Sequence, residues 1–85
     1  MSIMVSFAVE VVDGECIPVP SVEVGARYRY EVSPRTWSSE VTDGEGVAHF
    51  NEEHPERPLE VCLFVGDTAC GTRELQDGAR FILEM

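Results

Sequence analysis

The sequence predicts an all-β protein, a seven-stranded antiparallel Greek-key β-sandwich in which residues 1–85 form a single domain. Its clearest segment, residues 22–32, alternates apolar and polar side chains with a period of two, which fits a strand with one buried face and does not fit a helix. Turn dipeptides such as Asp13-Gly14 and Asp43-Gly44 recur at short intervals, and no window combines helical periodicity with helix caps. A chain of 85 residues is also too short for two independent cores.

The first three strands are defined by alternation and by the residues that interrupt it. Strand 1 places four apolar side chains on one face: Val5, Phe7, Val9 and Val11. Pro18 and Pro20 then withhold amide donors, so the chain there is a connection or a sheet edge. Ser33-Pro34 ends strand 2, and strand 3 fills the interval before Asp43-Gly44. The seven strands are expected at about residues 4–12, 21–32, 36–42, 46–51, 59–65, 68–75 and 79–85.

A turn is predicted where strand 3 meets strand 4. In Thr42-Asp43-Gly44 the aspartate can accept backbone amides and the glycine tolerates a positive φ, which suits a tight reversal. Alternation beyond the turn predicts that Ala48 and Phe50 point into the core and that Val47 and His49 point outward.

The last three strands are separated by equally short connections. Pro55 and Pro58 bracket the loop before strand 5, and Gly66-Asp67 and Asp77-Gly78 mark the two turns that follow. In strand 5 the residues Leu59, Val61, Leu63 and Val65 alternate with Glu60, Cys62 and Phe64.

The charge of the chain excludes several classes of function. Sixteen acids face six basic residues, all of them arginine, for a net charge of −10. Such a surface repels nucleic acid and anionic membranes. No apolar run approaches the length that a membrane span needs, so membrane insertion is not expected. The first residues read as a strand rather than a signal peptide, so a cytoplasmic setting is the default expectation, and an extracytoplasmic one would require a removed leader.

Two stretches resemble a known family. VEVVDGECIPVPSVEV, followed by VTDGEGVAHF, is similar to a pattern in which a strand leads into D-x-x-G-x-P-V-P-x-V-x-V and a later strand pair is joined by T-D-x-x-G-x-A-x-F. The chain thereby resembles the carboxypeptidase regulatory-like domains, small sandwiches with a transthyretin-like (prealbumin-like) fold within the broader Ig-like class of architecture. The glycine of the first motif comes early here, at Gly14.

The resemblance implies an accessory module rather than an enzyme, because many domains of this family are accessory. The hydroxyisourate hydrolases of the same fold carry histidines in set strands and a Tyr-Arg-Gly-Ser-type tail. This chain ends in FILEM and has no histidine before residue 49. No catalytic residue and no cofactor are therefore expected.

One candidate ligand site centres on the single tryptophan, Trp37. An exposed indole could stack on a sugar while Arg35 and Glu40 hold hydroxyls. A buried core position is the favoured alternative, since a lone tryptophan in a small sandwich usually fills the core.

Two further candidates rest on histidines and cysteines. His49 and His54, with Glu52 and Glu53, could form a weak metal site, although the H-E-x-x-H spacing and its helix are missing, and two unrelated histidines are the favoured interpretation. Cys62 and Cys70 are predicted to face each other across a hairpin with a three-residue loop, where a disulfide is possible. Reduced thiols are favoured, because three cysteines are an odd number.

The expected function is that of a non-catalytic binding or structural module that associates with a protein partner or with itself. The last strand, with Ile82 on its exposed parity, is the candidate edge for strand addition. Carbohydrate binding through Trp37 and weak metal binding through the histidines stay open as alternatives.

Overall fold

The computed structural model describes residues 2–85 and shows an all-β domain made of two packed sheets. No helix within this range is long and apolar enough to cross a membrane. The seven predicted strands are all present, with these bounds: β1 (Ile3–Val12), β2 (Glu23–Arg29), β3 (Thr36–Val41), β4 (Val47–His54), β5 (Glu60–Val65), β6 (Thr68–Glu74) and β7 (Ala79–Glu84).

The two sheets have the orders β4-β1-β7 and β3-β2-β5-β6. The expectation of a wholly antiparallel sandwich is wrong at one pair, because β7 runs parallel to β1, with Phe7 opposite Ala79 and Val11 opposite Leu83. Alternation reports which face a side chain occupies and carries no information about strand direction. Here β7 follows β6 of the other sheet, so its direction is set by the crossing between sheets and not by a hairpin.

The second strand is shorter than the sequence predicts. It ends at Arg29, and Val32 is 86% exposed although it continues the apolar parity. The cause is Glu56, whose carboxylate accepts the amides of Glu31, Val32 and Ser33 together with the Ser33 hydroxyl. These hydrogen bonds, the Ser33 hydroxyl first among them, hold the pKa of Glu56 below its usual range and turn the chain away from the sheet.

The core lies between the sheets and is built mainly from the inward side chains of β1, β2, β4 and β5, to which Leu83 of β7 is added. At its centre the rings of Phe7 and Phe50 stack at 4.7 Å, and Phe7 meets Tyr28 edge-on at 6.2 Å. Each apolar side chain of this size contributes about 1.5–3 kcal/mol when fully buried. The fully buried set with the largest side chains is Tyr28, Phe50, Leu63, Val9, Val11, Val24 and Val61.

Two turns at one end of the sandwich have the same sequence pattern and the same hydrogen bonds. Asp13 accepts the amides of residues 15 and 17, and Asp43 accepts those of residues 45 and 47. The predicted reversal at Asp43 is thus confirmed, but the prediction that Val47 points outward is wrong, since Val47 is buried. The turn before it lies against β1, whose Val11 donates its amide to the Gly46 carbonyl, and close to Pro18 and Val19 of the neighbouring connection.

The two turns differ at the fourth residue, where the backbone is left-handed. Gly46 has a φ of 75°, which glycine adopts without strain, whereas Cys16 occupies the equivalent position with a φ of 64°. A side chain at position 46 would also press on Pro18 and on the backbone of Val11 and Val19.

We expect Cys16→Gly to raise the free energy of unfolding by about 0.5–1 kcal/mol, because it removes left-handed strain at some cost in unfolded-chain entropy. Urea unfolding followed by circular dichroism measures the change. Cys16→Ala is the matched control, since it removes the thiol but keeps the strain, and equal stability of the two variants would contradict the prediction. Gly46→Ala should destabilise by more than about 1 kcal/mol.

Candidate functional site

The outward face of the four-stranded sheet carries the tryptophan. Trp37 lies on the edge strand β3, opposite Arg27 of β2, and is 55% exposed, so the favoured expectation of a core position is wrong. The reason is the parity of β3. Thr36 and Ser38 take the inward positions. Their hydroxyls lie within hydrogen-bond distance of those of Tyr30 and Tyr28, respectively, and Trp37 between them is thereby turned outward.

The indole is held against the sheet rather than projecting from it. It covers Gly25, where an added Cβ would overlap the Trp37 ring, and its centroid lies 5.3 Å from that of Phe64. Arg27 in turn places its guanidinium 5.5 Å from the centroid of the Phe64 ring, within range of a cation–π interaction. Glycine on the outward parity of a strand is the sequence signal for such a close approach.

Beside Trp37 the face contains a recess that is rich in arginine. Its cavity volume is ≈ 110 Å³, and Arg27, Arg29 and Arg35 line it together with Glu60, Cys62 and Thr72. Half of the six arginines of the chain therefore border one small space. We refer to Trp37, Phe64 and these three arginines as the arginine face.

Only one of the three arginines has an acidic partner there. Arg29 pairs through its Nε with Glu60, whereas no carboxylate of residues 2–85 lies within ion-pair distance of Arg27 or Arg35. Of the predicted sugar-binding residues, Arg35 and Trp37 thus lie on the same face. Glu40 is opposite Val24 on the other parity of β3 and points away from them.

The residues of the candidate metal site are not brought together. His49 is exposed on the outward face of β4, with its Nε2 3.3 Å from Asp43, while His54 is buried on the inward face. Glu52 shares the inward parity with His54, and Glu53 shares the outward parity with His49. Across residues 2–85 no group of three or more histidine, cysteine or acidic side chains is placed to hold a metal ion.

Sequence reasoning missed a polar cluster inside the sandwich. The Tyr30 hydroxyl lies 2.7 Å from Nδ1 of His54, and the Tyr28 hydroxyl donates to Glu52 at 3.3 Å, so Tyr28 of β2 and Tyr30, just after the end of that strand, connect to β4. Burial raises the pKa of both tyrosines and lowers the pKa of His54. The alternation of the sequence contains a signal for this cluster, because Tyr28, Tyr30 and His54 all lie on the inward parity of their segments.

The cysteines do not face each other. The turn after β5 has two residues, with Val65 opposite Thr68, and a bulge follows, so Cys62 lies opposite Thr72. The predicted three-residue loop is one residue too long, and the bulge shifts the register by one residue more. Cys62 points outward and Cys70 packs against the core, and both are free thiols.

The predicted edge is an edge in the structure. β7 lies at the end of the order β4-β1-β7 and hydrogen-bonds to β1 alone. Ile82 is 63% exposed on its outward face, between Arg80 and Glu84. Arg80 forms an ion pair with Glu10 at 2.6 Å.

Comparison with family models, with curated proteins and with solved structures finds no match to this chain. The class of the protein is therefore given by its fold, an all-β domain of 85 residues with two packed sheets.

We expect acidification below pH 6.5 to destabilise the fold through His54. Its pKa in the folded protein is depressed, because burial outweighs the nearby Glu52 carboxylate, so the unfolded chain binds a proton that the folded one does not. This contribution is complete above the unfolded pKa of about 6.5 and is lost as the pH falls towards the folded pKa. Urea unfolding between about pH 5.5 and pH 7.5 measures it.

The matched controls for this pH dependence are the two histidines. His54→Gln should flatten the dependence in that window, whereas His49→Gln should retain it, since His49 is exposed. An equal pH dependence in both variants would exclude His54 as its source.

We expect Gly25→Ala to displace the Trp37 indole, because the new methyl group would occupy the space under the ring. The tryptophan emission should shift to longer wavelength, because the displaced ring is more exposed to water. Gly14→Ala is the control, since nothing lies within 4 Å of a Cβ built there. An unchanged spectrum in Gly25→Ala would show that the ring does not rest on Gly25.

Proposed function

We propose that this protein is a non-catalytic β-sandwich module that works by association, and that it pairs with a second copy of itself through β7. The observation that carries the proposal is the free edge of β7 with the exposed Ile82 at its centre. An unpaired edge presents backbone donors and acceptors to which another strand can be added.

The side chains of β7 complement those of a second, antiparallel β7. If two copies pair symmetrically about Ile82, Arg80 of one copy lies opposite Glu84 of the other on the outward face. On the inward face Phe81 then lies opposite Leu83. Opposite charges placed directly across an antiparallel pair contribute about 0.2–1 kcal/mol each, and the two-fold symmetry supplies two such pairs.

The net charge opposes this association and makes it dependent on salt. Two copies of charge −10 repel each other over distances that low ionic strength leaves unscreened. Salt should weaken that long-range repulsion more than the short-range strand pairing. Self-association is therefore expected to strengthen between about 0.05 M and about 0.5 M salt.

We also propose that the chain is a carboxypeptidase regulatory-like domain with a transthyretin-like Greek-key sandwich. Support comes from the two motifs around Asp13 and Asp43, whose turns have matching hydrogen bonds. The seven strands in two sheets are consistent with that family. The family resemblance favours an accessory role over an enzymatic one.

We expect Ile82→Lys and Glu84→Arg to weaken self-association, the second by about tenfold because it places like charges opposite each other twice. Sedimentation velocity over a range of protein concentrations measures the effect. Glu74→Arg on β6 is the matched control, since it changes the net charge equally on the other sheet and should leave the dimer intact. A wild-type protein that stays monomeric at high concentration and high salt would contradict the proposal.

A further inference from the structure

We propose that the arginine face binds a carboxylate carried on a ring, and that a uronic acid of an oligosaccharide is the ligand that it fits best. This site lies on the four-stranded sheet, away from β7, and does not depend on self-association. The proposal rests on the juxtaposition of an exposed, fixed indole with two arginines that have no acidic partner.

The recess of the arginine face is positively charged, whereas the molecule as a whole is acidic. The chain has sixteen acidic residues, yet the recess holds three arginines and one carboxylate, Glu60, which Arg29 engages. Arg27 and Arg35 are left to provide planar donor groups, which match a carboxylate in two parallel hydrogen bonds. The local charge of the recess therefore attracts an anion that the remaining surface would repel.

The recess and the indole offer separate places to the two parts of the ligand. The recess is small, ≈ 110 Å³, and its lining is rich in arginine, which suits the carboxylate. The ring is then placed beside the recess. Trp37 is directly opposite Arg27 in the strand register, so its exposed face is the adjoining surface.

Trp37 is suited to that role because its position is fixed. The ring rests on Gly25 and against Phe64, so little conformational entropy remains to be lost when a ligand stacks on it. A flat aromatic surface with one end at polar groups is a common platform for ligands that have an apolar face and a polar rim. Thr72 lines the recess and adds a hydroxyl that can donate to the carboxylate.

The net charge also limits what kind of anion can bind. Nucleic acid and other densely charged polymers are repelled by a chain of charge −10, whereas one carboxylate per ring approaches with less opposition. The ring could belong to a uronic acid or to an aromatic carboxylic acid, because both offer a stacking face and a carboxylate. An acidic peptide offers the carboxylate without the ring.

The test is a calorimetric titration of the intact chain, with Trp37 fluorescence as a second readout. The ligands are an oligogalacturonate, the neutral galactose oligomer of equal length, benzoate, and a short acidic peptide. We expect the oligogalacturonate to bind, the neutral oligomer to bind at least about tenfold more weakly, and salt to weaken the binding. If benzoate binds and the oligogalacturonate does not, the face binds a ring carboxylate, and the ligand is an aromatic carboxylic acid rather than a uronic acid.

Four variants test whether the ligand binds at the arginine face. Arg35→Gln and Trp37→Ala should each weaken it by about tenfold, while Arg57→Gln removes an exposed arginine elsewhere and should have no effect. Glu60→Gln should tighten binding, because it frees Arg29 and removes the one negative charge of the recess. A gain of affinity cannot result from a loss of folding.

Three outcomes would overturn the proposal. They are no binding of either ring carboxylate, equal binding of the charged and neutral oligomers, and binding of the acidic peptide in place of the ring carboxylates. Circular dichroism of each variant shows whether a loss of binding is a loss of fold. If Trp37→Ala unfolds, Arg35→Gln and Glu60→Gln still decide the question.

Discussion

The packing of one ring, Phe7 of β1, is the interaction on which the two-sheet architecture most depends. Phe7 stacks on Phe50 of β4 and meets Tyr28 of β2 and Phe81 of β7 edge-on, so a single side chain contacts both neighbours in its own sheet and the opposite sheet. β1 is also the only strand of the three-stranded sheet that has two hydrogen-bonded partners. β1 therefore holds the three-stranded sheet together and, through Phe7, also contacts the opposite sheet in a domain whose core is small.

The interior of the sandwich explains why its exterior carries aromatic and cationic groups. Between β3 and β4 the space is filled by the hydroxyls of Tyr28 and Tyr30 and by His54, which form hydrogen bonds instead of a purely apolar contact. Ser38 lies within hydrogen-bond distance of the Tyr28 hydroxyl, and its inward position fixes the parity of β3. Trp37 is thereby placed on the outside, where Gly25 leaves room for it. The polar interior and the exposed indole are two results of one register.

Much of the fold was predictable because alternation and turn dipeptides act locally. All seven strands lie within a few residues of the predicted ranges, and Ile82 lies on an edge as expected. Most of what failed depends on contacts between distant residues. The parallel direction of β7 arises from a crossing between sheets, and the early end of β2 arises from Glu56. The offset of Cys62 arises within one hairpin, from a turn one residue shorter and the bulge that follows it. The arginine face combines three strands and a loop, so no single motif could reveal it.

The two proposed surfaces would reinforce each other geometrically. Antiparallel strands that pair within one sheet are related by a two-fold axis perpendicular to that sheet, so two copies joined at β7 would present their four-stranded sheets on the same side. Both arginine faces would then point in one direction. A ligand that repeats, such as a chain of uronic acids, could occupy both sites at once, and the second contact would form at a high effective concentration. Weak binding at each face would then be sufficient for firm attachment, and the dimer edge would be a determinant of affinity as well as of assembly.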